Sequence, residues 1–94
     1  MTYKFNYGDS RRISWELPFS FFDEIIKNFG NVFSTTDLTD LWIRLDPDAA
    51  KEYEELRGRN WRAVVGKRLK QYSIERQIIE QISPANVSPA RWHK

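Results

Sequence analysis

The chain has 94 residues, 40% of them hydrophobic and 15% aromatic, which is long enough for one domain with a modest core and too apolar for a disordered chain. It has no cysteine, which excludes a disulfide framework and thiolate metal sites; its first residues form no signal-peptide pattern and no run is long enough to span a membrane, so the cytoplasm is the expected compartment. The net charge of +2 is unevenly spread: residues 1–56 hold six Lys/Arg against eleven Asp/Glu, a balance of −5, and residues 57–94 hold nine against two, a balance of +7, which points to a polyanionic partner for the basic part unless the acidic part neutralises it within the fold.

Tyr3, Phe5 and Tyr7 alternate with polar residues, as do Ile13, Trp15 and Leu17, with Gly8 and Asp9 between them. Both runs read as half-buried strands, either as a hairpin or with one run pairing to a later segment. Pro18 opens a helix near 20–29, where Phe22, Ile25, Ile26 and Phe29 follow helical spacing and Gly30 stands at the stop. Ser34-Thr35-Thr36-Asp37 is a capping-box signal, with Phe33 placed to staple onto Leu38. It starts a second helix, 35–45, with Leu38, Leu41, Trp42 and Leu45 on one stripe. Asp46 is a good cap and Pro47 is tolerated at a first helical position. They begin a short acidic helix, 47–57, that carries Ala49, Ala50, Tyr53 and Leu56 and ends at Gly58.

Asn60 is expected to cap a fourth helix, 60–72. At about 100° per residue, Trp61, Val64, Val65, Leu69 and Tyr72 share one face. Arg62, Ala63, Gly66, Lys67 and Lys70 share the other, a face with cations at its edges and small residues between them. Arg68 lies within the apolar face, where it must snorkel or meet a carboxylate, and so reads as structural. Beyond Tyr72, Ile74, Ile78 and Ile82 fit alternate strand positions or one helix face. β-Branched richness favours the strand, giving a hairpin over 75–93 around the polar loop 83–89. The core expected from these stripes is Phe22, Ile25, Ile26, Phe29, Leu38, Leu41, Trp42, Trp61, Val64, Val65 and Leu69. The fold class expected is α+β: mainly helical with a small sheet, organised as N-terminal strands (1–18), a helical core (19–73) and a terminal hairpin (74–94).

In this order the segments FSTTDLTDLW (33–42), RNWRAVVGKRLKQYSIE (59–75) and ARWHK (90–94) resemble a winged helix-turn-helix domain of the kind found in small phage and mobile-element proteins. The resemblance covers roughly residues 19–94. It implies a non-catalytic DNA-binding module, regulatory or architectural, with helix 60–72 in the major groove and the hairpin as a wing on the backbone. Carried over residue by residue, Asn60, Arg62, Ala63, Gly66 and Lys67 would face the groove. Arg59 and Lys70 would lie near phosphates, and Arg91 and Lys94 would act from the wing. The sequence departs from that pattern in the insert 46–58, in Ser73 where such chains often carry Gly, and in the N-terminal aromatic runs.

The residues themselves give little support to catalysis. The single histidine, His93, has no sequence neighbour suited to acid–base work. Gly58 and Gly66 lack P-loop spacing, and Lys67 is followed by Arg where Ser or Thr is required. Asp46-Pro47-Asp48 lacks the later Gly and Glu of a calcium loop. Cofactors, metals and small-molecule substrates are therefore not expected. Double-stranded DNA is the expected partner, with a homodimer or another protein on the acidic insert or the aromatic N-terminus as the alternative.

Overall fold

The computed structural model describes Phe5, Tyr7 and residues 16–84 and 89–94. Among them the elements run α1 (Phe19–Ile26), β1 (Val32–Ser34), α2 (Thr35–Leu45), α3 (Pro47–Arg57), α4 (Trp61–Arg76), β2 (Glu80–Gln81) and β3 (Arg91–His93). The fold is α+β, mostly helical with one small antiparallel sheet of order β1-β3-β2. The strands expected over 3–7 and 13–17 fall largely outside the described residues; Phe5, Tyr7, Glu16 and Leu17, which are described, lie in no strand.

The caps legible in the sequence form as their chemistry dictates. The Asp37 amide donates to Ser34 Oγ at 3.0 Å, and the Ser34 amide donates back to Asp37 Oδ2 at 2.9 Å, so two orphan donors of α2 are satisfied reciprocally. Asp46 accepts from the Ala49 amide at 3.3 Å, with Pro47 at the first position of α3. Gly58 closes α3 at φ 84°, a backbone conformation that glycine adopts without steric cost.

Three boundaries differ from expectation. α1 stops at Ile26, because its last carbonyls are taken by tighter bonds: the Asn28 and Phe29 amides reach back three residues, and the Asn28 side chain also donates to the Ile25 carbonyl at 3.1 Å. α4 runs to Arg76, so 74–76 is helix where a strand was expected. Its last turns are tied to α1: Tyr72 Oη donates to Asp23 Oδ1 at 2.6 Å and Arg76 reaches Asp23 Oδ2 at 3.4 Å. Gln77 then ends the helix in the left-handed region. Asn60 stands at the cap position of α4 but makes no side-chain cap bond. The hairpin is present, with Glu80 opposite His93 and Gln81 opposite Trp92. Part of its loop, 85–88, is outside the described residues.

Trp42 sits at the middle of the core, with its ring centroid 4.9 Å from Phe21, 5.4 Å from Tyr53 and 6.1 Å from Trp61. Its indole N–H donates to Tyr7 Oη at 2.9 Å, and Tyr7 Oη donates to Asp46 Oδ2 at 2.7 Å. The N-terminal aromatics Phe5 and Tyr7 thus close the core where α2 hands over to α3, and the buried indole finds its partner. Most of the expected core is buried; Phe29, Leu41 and Val64 are only half-buried and pack on its rim. Arg68 does both things its position demanded. Its Nε donates to the Leu17 carbonyl at 2.8 Å, and its Nη1 lies 3.1 Å from Glu16 Oε1. The guanidinium also stacks 4.4 Å over the Phe19 ring.

Candidate functional site

α4 buries Trp61, Val65, Leu69 and Tyr72, so the ridge opposite them faces outward. That ridge is Ala63, Lys67, Lys70 and Ile74, all exposed. The face read from the sequence is therefore split. Ala63, Lys67 and Lys70 stand on the ridge, while Arg62 and Gly66 are half-buried on the flank that meets α2. Neither Lys67 nor Lys70 is paired with a carboxylate among the described residues.

Beside the ridge runs a cleft of about 450 Å³. α4 lines one wall with Arg62, Ala63, Gly66, Lys67 and Lys70. Thr35 and Thr36 contribute from the first turn of α2, and Gln81, Ala90 and Trp92 from the hairpin. Five of the nine expected site residues thus come together in one place. Thr36 and Gln81 were not anticipated. Thr36 had the appearance of an ordinary first-turn residue, and Gln81 faces inward only because β2 pairs with β3 in this register.

Thr35 holds the three walls together. Its amide donates to the Ala90 carbonyl at 2.9 Å, and its Oγ1 accepts from Trp92 Nε1 at 3.0 Å. A Cβ added at Gly66 would stand 3.5 Å from the Thr35 methyl, in ordinary contact, so Gly66 lies against α2 and not on an open face as the sequence suggested.

Arg62 lines the cleft and has partners within the fold. Its Nη1 donates to Asp40 Oδ1 at 2.6 Å and to Thr39 Oγ1 at 2.9 Å, and its guanidinium lies 5.1 Å from the Trp61 ring centroid. These bonds join α4 to α2. Lys94 does not line the cleft. Its ammonium donates to the Phe29 carbonyl at 2.6 Å, and its amide to the Asn31 carbonyl at 2.9 Å, which places it beside the α1–β1 connection. Pairing of β3 with β1 sets Arg91 opposite Ser34 and His93 opposite Val32, so Arg91 lies at the α2 end of β3 and Lys94 beyond the other end. Arg59 and Asn60 are exposed in the turn that leads into α4, and Arg91 is exposed on the hairpin, where its amide donates to Ser83 Oγ at 3.0 Å.

The shifted ionisations belong to the core and not to this cleft. Burial, with the hydrogen bond to Asp23 next, pushes the Tyr72 hydroxyl well above its ordinary range, and burial raises Tyr53 against the lowering effect of Arg57. Among the described residues no group of three His, Asp or Glu side chains is placed to hold a metal ion. None of their helices is long and apolar enough to cross a membrane. No protein-family model, curated protein or solved structure matches the chain.

Proposed function

We propose that this chain is a winged helix-turn-helix module that binds duplex DNA without catalysis, in a regulatory or architectural role. The observation that carries the reading is the outward ridge of α4, where Lys67 and Lys70 stand free of carboxylates among the described residues, beside the small side chain of Ala63. A helix entering a major groove needs such a ridge: cations to replace the counterions of the phosphates, and small residues where the helix approaches the bases. The element order supports the same reading. α2 and α4 are the paired helices, α3 is inserted between them, and the β2–β3 hairpin follows α4 as the wing. Arg59 adds an exposed cation in the turn before α4 and Arg91 one on the hairpin, while Arg62 is bonded to Asp40 and Thr39 of α2.

The test is a titration of a fluorescent duplex of about 20 base pairs at salt concentrations from about 50 to 200 mM. Four cations, Arg59, Lys67, Lys70 and Arg91, give an expected slope of log affinity on log salt of about −3 to −4. No binding at the lowest salt, or a slope near zero, removes the reading. A protein-interaction module is the second reading, favoured by α3, which turns Asp48, Glu52 and Glu55 to solvent and leaves Leu56 exposed, with Ile43 of α2 exposed as well. It takes the first one's place if no duplex is bound.

A further inference from the structure

The ridge of α4 ends in an apolar side chain, Ile74. Ile74 is 64% exposed, the most exposed large hydrophobic side chain among the described residues. Lys67, Lys70 and Ile74 follow one another at spacings of three and four residues, so the three side chains stand in line along the helix. From Ala63 to Ile74 the ridge is about 16 Å long at about 1.5 Å per residue, which matches about five base pairs at 3.4 Å each.

We infer that Ile74 reads thymine: with α4 in the major groove, its side chain packs on the 5-methyl group of one thymine base. The inference rests on the DNA-binding reading above. The major-groove edge of thymine carries an acceptor and that methyl group, and apolar side chains are the natural complement to the methyl. A protein partner fits the same residue less well. Interface centres are apolar and depleted of lysine, whereas Ile74 stands in line with Lys67 and one turn from Lys70. The other exposed isoleucines near it do not extend the ridge. Ile78 and Ile82 both lie beyond the last residue of α4.

The experiment uses the full chain and duplexes recovered from a random pool of about 20 base pairs by repeated binding to the parent protein. The recovered pool is copied twice, once with thymidine and once with deoxyuridine, which lacks only the 5-methyl group. The parent is expected to bind the thymidine pool about fourfold more tightly, the factor set by transferring one methyl group out of water. Ile74→Ala, at an exposed position, is expected to keep the parent's circular dichroism and melting curve and to lose that factor. Ile74→Val is expected to keep most of it. If the parent recovers no duplex, the DNA-binding reading falls and this inference falls with it. If the parent binds both copies alike, the inference is overturned while DNA binding stands. It is also overturned if Ile74→Ala discriminates as the parent does. Sedimentation of the DNA-free protein, run beside these, identifies a protein contact: a change of mass on Ile74→Ala with discrimination intact assigns the residue to an interface and overturns the inference.

Discussion

Thr35→Val tests whether the hairpin is locked to α2 through one hydroxyl. Valine keeps the volume of threonine, its β-branch, and the methyl that faces Gly66. It removes the Oγ1 that accepts from Trp92 Nε1 at 3.0 Å and donates weakly to the Ala90 carbonyl at 3.4 Å. Trp92 is 1% exposed, so its buried indole N–H loses its partner once Oγ1 is gone. An orphaned buried donor of this kind costs about 1–3 kcal/mol. In a chain of this length about 2 kcal/mol lowers the melting temperature by roughly 8–16 °C. The assay is thermal melting by circular dichroism in a double-mutant cycle with Trp92→Phe, which removes the donor. Once the donor is gone the loss of Oγ1 leaves nothing unpaired there, so the double variant is expected to be more stable than the sum of the singles by about 1 kcal/mol or more. A Thr35→Val melt within about 2 °C of the parent, or strictly additive singles, refutes the reasoning.

Lys70→Ala is expected to weaken binding to every duplex alike and to reduce the salt slope by about one unit, whereas Lys94→Ala, whose ammonium is held by the Phe29 carbonyl, leaves the slope unchanged; equal effects in the salt titration contradict the placement of the site. Leu69→Ala empties a fully buried position and is expected to cost about 2–4 kcal/mol, against roughly half that for the half-buried Leu41→Ala, measured by denaturant unfolding; the reverse order means the helix faces are wrong. The folded chain holds the Tyr72 proton more tightly than the unfolded chain, so the stability this lends is complete below the ordinary tyrosine value of about 10 and is lost as pH rises beyond it towards the folded value. Melting between about pH 8 and 12 is therefore expected to fall less steeply in Tyr72→Phe than in the parent, and an identical alkaline fall shows that another group is responsible.

The helices and their starts were readable because they rest on local chemistry. The Ser34–Asp37 capping box, the Asp46-Pro47 start and the Gly58 stop involve residues a few positions apart, and each forms as its composition requires. The buried stripe of α4 was readable for the same reason, as was the demand that Arg68 find partners at the edge of that stripe. β1 was not readable. It has three residues, shows no clear alternation, and exists only through pairing with β3, which sets Phe33 opposite Trp92 some sixty positions away. The extra turn of α4 was hidden likewise. Ile74 favours a strand by propensity, and the bonds from Tyr72 and Arg76 to Asp23 of α1 override it.

For the candidate site, the sequence determined that α4 would carry a basic outward face, because helical periodicity and the burial of Trp61, Val65, Leu69 and Tyr72 leave no other arrangement. It could not set which cations on that face remain available. Tertiary structure decided that. α2 brings Asp40 and Thr39 onto Arg62, and Lys67 and Lys70 are left to the ridge. A side chain's charge is fixed by its chemistry. Whether that charge is already neutralised depends on groups that lie beside it only after the chain has folded, and those contacts obey no sequence period.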